Sequence, residues 1–186
     1  SPEAKYNRFI LASSPEKYAA LKAELSGDLA LLLEIAAFTM NYTQLPPDAG
    51  NSDGEIRALA LSARATYELE CGEIDNALDL MNQAKESAKK VSPVFAAQIA
   101  GNIAETKHQA KGASADVVML YKEATDGLKD SQLEEAKAIL HLNSGICYQE
   151  MSQGNRGALL EAVKQYQESL KFFTRETTPE QYAFTH

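Results

Sequence analysis

Apolar residues recur along this chain at intervals of three and four. Ile74, Ala77, Leu78, Met81, Ala84 and Ala88 form the clearest run. That spacing lines one face of a helix with 3.6 residues per turn. Proline occurs only at positions 2, 15, 46, 47, 93 and 179. The stretches 48–92 and 94–178 therefore contain no residue that breaks a helix interior. They are rich in Ala, Leu, Glu, Lys and Gln, with few β-branched residues, as helices favour. Glycine divides them. Gly72 ends a predicted helix that begins near Ile56, and Gly112 ends one that begins near Val94, because glycine supplies the left-handed turn just past a helix. Second helices are predicted over Ile74–Lys90 and Ala115–Lys129. Asp75 and Asp116 stand in their first turns, where a carboxylate meets the positive end of the helix dipole. Asp48–Glu55 and Ser152–Gly157 read as loops, and no strand-like alternation interrupts the pattern. The predicted class is all-α.

The helical pattern repeats. Shifting Gly72 onto Gly112 also lays Ala65 on Glu105, Ala77 on Val117, Met81 on Tyr121 and Ala84 on Ala124, an offset of 40. A second shift of 40 brings Glu105 onto Gly145. In the following helix the offset is 45, with Val117 on Ala162, Tyr121 on Tyr166 and Ala124 on Ser169; the SQGNRG loop accounts for the extra length. Small residues at two of the first-helix positions and most of the second-helix ones let paired helices approach, and larger ones four residues later fill the gap between hairpins. Ala77, Ala84 and Ala124 are expected at buried close contacts.

A small residue late in the first helix, glycine at the turn, alanine opening the second helix, then an aromatic and another small residue: this pattern resembles the tetratricopeptide repeat. Gly145, Tyr148, Ala162, Tyr166 and Ser169 form the fullest copy. Tyr67 stands one place early in its copy, and Glu105 and Val117 are larger than the pattern prefers. The period exceeds the family's usual length, as in the lengthened repeats of kinesin light chains. The segment 152–183 is also similar to repeats of bacterial proteins with caspase-like CHAT domains. The likeness covers about 56–186. It implies a right-handed superhelical solenoid of antiparallel helical hairpins, at about 56–90, 94–130 and 134–174, within a repeat region 48–186. Pro179–His186 reads as the opening of a further first helix, with Tyr182, Ala183 and Phe184 packing on an Ala158–Phe173 helix. The last repeat is thus expected to be truncated and the array to continue.

Residues 1–47 fit the repeat less well, and are expected to form a helical cap or a degenerate hairpin. Offset by 45, Ala20 falls on Ala65, Gly27 on Gly72 and Leu32 on Ala77, which suggests a hairpin over Pro15–Tyr42. Its second helix, LALLLEIAAFTMNY, is apolar nearly all round. Such a helix is expected to be buried on both sides, here beneath Tyr6–Leu11; the alternative is a partner or dimer surface.

Charge narrows the partners. Lys and Arg number 18 against 26 Asp and Glu, a formal charge of −8. That balance opposes binding to phosphate backbones and anionic lipid, so neither nucleic acid nor membrane is an expected partner. The longest apolar run, Leu29–Met40, is far short of the ~20 residues that span a bilayer. No basic stretch followed by an apolar core opens the chain. It starts at Ser1 rather than methionine, as expected of an excised piece or a processed start. Cys71 and Cys147 are the only cysteines, too few for a disulfide scaffold. Both are expected as buried, reduced thiols in a cytoplasmic protein.

Candidate chemistry is sparse. His108 and His141 belong to separate hairpins, and neither sits in HExxH or CxxC spacing; His141 is expected to pack structurally. No GxSxG, Walker-type or GxGxxG motif occurs. Glu73/Asp75 and Glu134/Glu135 stand at helix starts, and Cys147 and His141 are six residues apart on one helix, facing different ways. No metal, cofactor or enzymatic activity is expected.

What remains is surface, and here the resemblance supplies the frame. In stacked hairpins the first helices line a concave wall. That places Ser62, Thr66, Leu69 and Glu70, then Asn102, Thr106 and Gln109, then Leu142, Asn143, Ile146 and Gln149 on the wall. The expected partner-binding residues are Ser62, Thr66, Glu70, Asn102, Thr106, Gln109, Asn143, Ile146 and Gln149. Their amides and hydroxyls suit a peptide backbone. The wall lacks the cations that clamp acidic C-terminal tails, so a basic or neutral partner is expected. The expected function is a scaffold that binds a partner protein or peptide. A regulatory or oligomerising module, self-associating through Leu29–Tyr42, is the alternative, and an enzyme the distant one.

Overall fold

The computed structural model describes residues 1–174 and 178–185, the side chains of Tyr182 and Phe184 excepted. Within them the chain forms ten α-helices and no strand. These are α1 (Pro2–Leu11), α2 (Pro15–Lys22), α3 (Gly27–Thr39), α4 (Gly54–Glu70), α5 (Ile74–Lys89), α6 (Pro93–Lys111), α7 (Ala115–Leu128), α8 (Glu134–Glu150), α9 (Arg156–Ser169) and α10 (Pro179–Thr185). The all-α class holds, and helices pack chiefly on their neighbours in sequence. α4 to α7 start and stop within about two residues of their predicted bounds; α9 stops at Ser169, short of Phe173.

Glycine sets the turns. Gly72 has φ 82°, its N–H donates to the Leu69 carbonyl at 3.0 Å, and the Glu73 N–H donates to Glu68 at 2.8 Å. This paired closure satisfies carbonyls that the end of α4 would otherwise leave unpaired. Gly112, with φ 81°, closes α6 by donating to the His108 carbonyl at 2.9 Å.

The chain divides into two compact units, Ser1–Ser92 and Pro93–His186. Residues 1–47 share the first unit with α4 and α5. There α4 and α5 pack along each other, and Gly54, opening α4, approaches Val91 just past α5, so the pair is antiparallel. Ala58, Leu61 and Ala65 are buried on α4, and Ala77, Met81, Ala84 and Ala88 on α5. The N-terminal segment is a small cluster of three helices. The hairpin expected over Pro15–Tyr42 is not built like the later pairs, because α2 is short and buries no residue. α1 supplies the cover instead: Phe9 is 1% exposed, clusters with Leu25 and Leu33, and meets the Tyr42 ring edge-on at 6.4 Å. Burying such a ring contributes about 1.5–3 kcal/mol. α3 is not buried on both sides as expected. Leu33 and Ala37 are fully enclosed, while Leu31, Leu32, Ile35 and Phe38 are half-buried.

In the second unit α6 packs on α7, α8 on α9, and α7 on α8. The register of α6 and α7 is antiparallel, since Gly127 lies against Ala97 while Gly101 lies beside Ala124. The small second-helix positions behave as the repeat predicts: Ala77, Ala84, Ala124, Ala162 and Ser169 are all buried. In the first helices the offset of 40 fails at Glu105. That residue is exposed, and the buried small residue is Ala104. The reason is local, for α6 has one more residue between Ala104 and Gly112 than α4 has between Ala65 and Gly72. Cys71 also departs from expectation. It is exposed, because it caps the C-terminus of α4, whereas Cys147 is fully buried. Tyr182 and Phe184, expected to pack on the preceding helix, lie outside the described side chains; Ala183 is exposed on α10.

Candidate functional site

Two matched stripes emerge on the first helices of the second unit. On α6 Gln98, Asn102, Glu105 and Gln109 follow one another at steps of four, three and four. On α8 Ile139, Asn143, Ile146 and Glu150 do the same, at an offset of 41. Such steps keep side chains on one helical face. The stripes border two adjoining clefts of about 360 Å³ and 200 Å³. Glu105 and Asn143 line both, so the clefts form one groove between α6 and α8. Glycine lets the walls approach: a Cβ on Gly101 would stand 2.7 Å from a Leu140 methyl carbon.

The larger cleft is floored by Tyr121 of α7 and bordered by His108 of α6. His108 Nε2 lies 3.0 Å from Glu150 Oε2, and Tyr121 Oη is 3.5 Å from His108 Nδ1. A proton on Nε2 satisfies both contacts, with imidazole donating to the carboxylate and the phenol donating to Nδ1. The Tyr121 phenol is held well above its ordinary pKa, first by burial and then by the charges of Glu105, Cys147 and Glu150. The phenol is 1% exposed. The chain of contacts orients His108 and keeps the Glu150 carboxylate at the cleft.

The structure gathers four of the expected binding residues, Asn102, Gln109, Asn143 and Ile146, around this groove. Thr106 is half-buried on the same helix. Gln149 points elsewhere: its Oε1 accepts from the Tyr166 hydroxyl of α9 at 2.5 Å. Ser62, Thr66 and Glu70 lie on α4 of the first unit, where the Thr66 hydroxyl donates to the Ser62 carbonyl at 3.1 Å. The structure adds Gln98, Glu105, His108 and Glu150 to the groove. The 41-residue offset of the two stripes is the sequence signal that marks three of these; the 40-residue frame obscured it by treating Glu105 as a packing position.

Elsewhere the candidate chemistry is quiet. His141 Nδ1 lies 2.7 Å from Gln165 Oε1, tying α8 to α9. The Cys147 thiol is pushed up in pKa by burial. Among the described residues no group of three or more His, Cys, Asp or Glu is placed to hold a metal ion, and no helix is long and apolar enough to cross a membrane. No protein-family model, no curated protein and no solved structure matches the chain.

Proposed function

We propose that this chain is a module of helical hairpins of the lengthened tetratricopeptide type. It holds a partner protein or peptide in the groove between α6 and α8, and acts by binding rather than by catalysis. The carrying observation is the groove itself, with stripes of matched spacing on its two walls. Asn102 and Asn143 present amides that donate and accept at once, as an extended peptide backbone requires. Ile139 and Ile146 offer apolar contact between them. The groove is open along its length, which suits a chain-like ligand better than an enclosed small molecule.

The test is selection of about nine-residue random peptides displayed against the whole chain. Peptides recovered on the native protein are expected to lose about tenfold or more in affinity for the Asn102→Ala/Asn143→Ala variant, at an unchanged melting temperature. Asn102 is exposed and Asn143 half-buried, and neither is among the buried core residues, so the fold should hold. Recovery of no peptide, or equal binding to the double variant, would sink the proposal.

A further inference from the structure

Resting on that reading, we infer that the groove selects a partner segment carrying a lysine or arginine, its cationic head placed between Glu105 and Glu150 and its neighbouring backbone held by Asn143. Two carboxylates line the larger cleft, and among the described residues no lysine or arginine lines either cleft. Glu105 accepts from the uncharged Gln109 amide at 3.2 Å, and Glu150 faces the His108 ring at 3.0 Å. Lys107, next along α6, is committed to Asp116 at 3.2 Å.

Two carboxylates on one cleft can each accept from an ammonium or guanidinium group in charge-assisted bonds. Ile146 lines the same cleft, and gives the methylene stem of such a side chain an apolar surface. At the floor of the cleft the charges of Glu105 and Glu150 also oppose ionisation of the Tyr121 phenol, behind its burial. The chain's net charge of −8 steers a basic segment in the same direction.

The experiment uses the whole chain and the same displayed random peptides. Recovered peptides should share a lysine or arginine at one position. A synthetic copy should lose about tenfold or more in affinity when that residue becomes glutamine. Glu105→Gln/Glu150→Gln in the protein should cost as much, and the two changes together should cost little more than either. If Asn143-dependent peptides carry no shared basic residue, or bind the glutamine variant as tightly, this inference is overturned while the groove reading stands. If no peptide depends on Asn143, both fall.

Discussion

Tyr121 shows how one side chain serves both core and groove. Its ring is among the largest fully buried side chains, and it meets the His108 ring edge-on at 6.2 Å. Burial raises the pKa of its phenol, and the Glu105, Cys147 and Glu150 charges raise it further. The consequence for stability has a definite sign. As pH rises past the ordinary tyrosine value of about 10, the unfolded chain releases this proton while the folded chain keeps it. The unfolded state then binds fewer protons, and stability falls. The contribution is intact below about pH 10 and is lost progressively above it. Tyr6, Tyr18, Tyr148 and Tyr166 are shifted the same way, chiefly by burial, so they share the loss. Urea unfolding at about pH 8 and about pH 10.5 should show a drop that Tyr121→Phe makes smaller. An equal drop in the variant would exclude this residue as a contributor.

Between elements, small residues set the helix spacing, but the glycines are not equivalent. A Cβ on Gly127 would stand 2.5 Å from the Cβ of Ala97. That atom is fixed to the α6 backbone and cannot turn aside, so the helices themselves would have to part. A Cβ on Gly101 would instead meet the far end of Leu140, at 2.7 Å, and a leucine methyl can change rotamer. Alanine also gains about 0.5–1 kcal/mol over glycine inside a helix. Gly127→Ala should therefore destabilise by about 1–3 kcal/mol despite that gain, while Gly101→Ala should be nearly neutral. Chemical denaturation of the two variants decides the matter; equal stabilities would mean that α6 and α7 are not in this register.

At the scale of the whole molecule, carboxylates outnumber cations, with 26 Asp and Glu against 18 Lys and Arg. Some of its ion pairs, such as Lys122 with Asp126 at 2.6 Å and Lys137 with Glu134 at 2.7 Å, lie within single helices, while others, such as Lys22 with Glu34 and Lys107 with Asp116, join successive helices; exposed pairs of this kind add little to stability. They leave the overall excess of carboxylates in place. A basic peptide recovered on the groove should consequently bind several-fold more weakly at about 500 mM salt than at about 50 mM, because the Debye length shrinks across that range. Salt-insensitive binding would place the recognition energy in the apolar and amide contacts, not in the glutamates.

The repeat in small residues, the turn glycines and the 3.6-residue periodicity were enough to predict the class, the bounds of α4 to α7 and the burial of Ala77, Ala84 and Ala124. These are local properties: helix propensity, proline exclusion and the left-handed turn act within a few residues of chain, so spacing alone reports them. The groove was half legible. The frame that the resemblance implies placed Asn102 and Gln109 on one helix face and Asn143 and Ile146 on the matching face of another. Whether Gln149 served the groove or its own hairpin depended on where Tyr166 of the next helix came to lie. One additional residue before Gly112 turned Glu105 from the core to the groove, and only packing against Ala104 and Gly101 revealed it. The meeting of Glu150, His108 and Tyr121 was likewise decided by tertiary structure. Three successive helices fold back on one another to bring those side chains together, and no spacing along the chain encodes the distance between them.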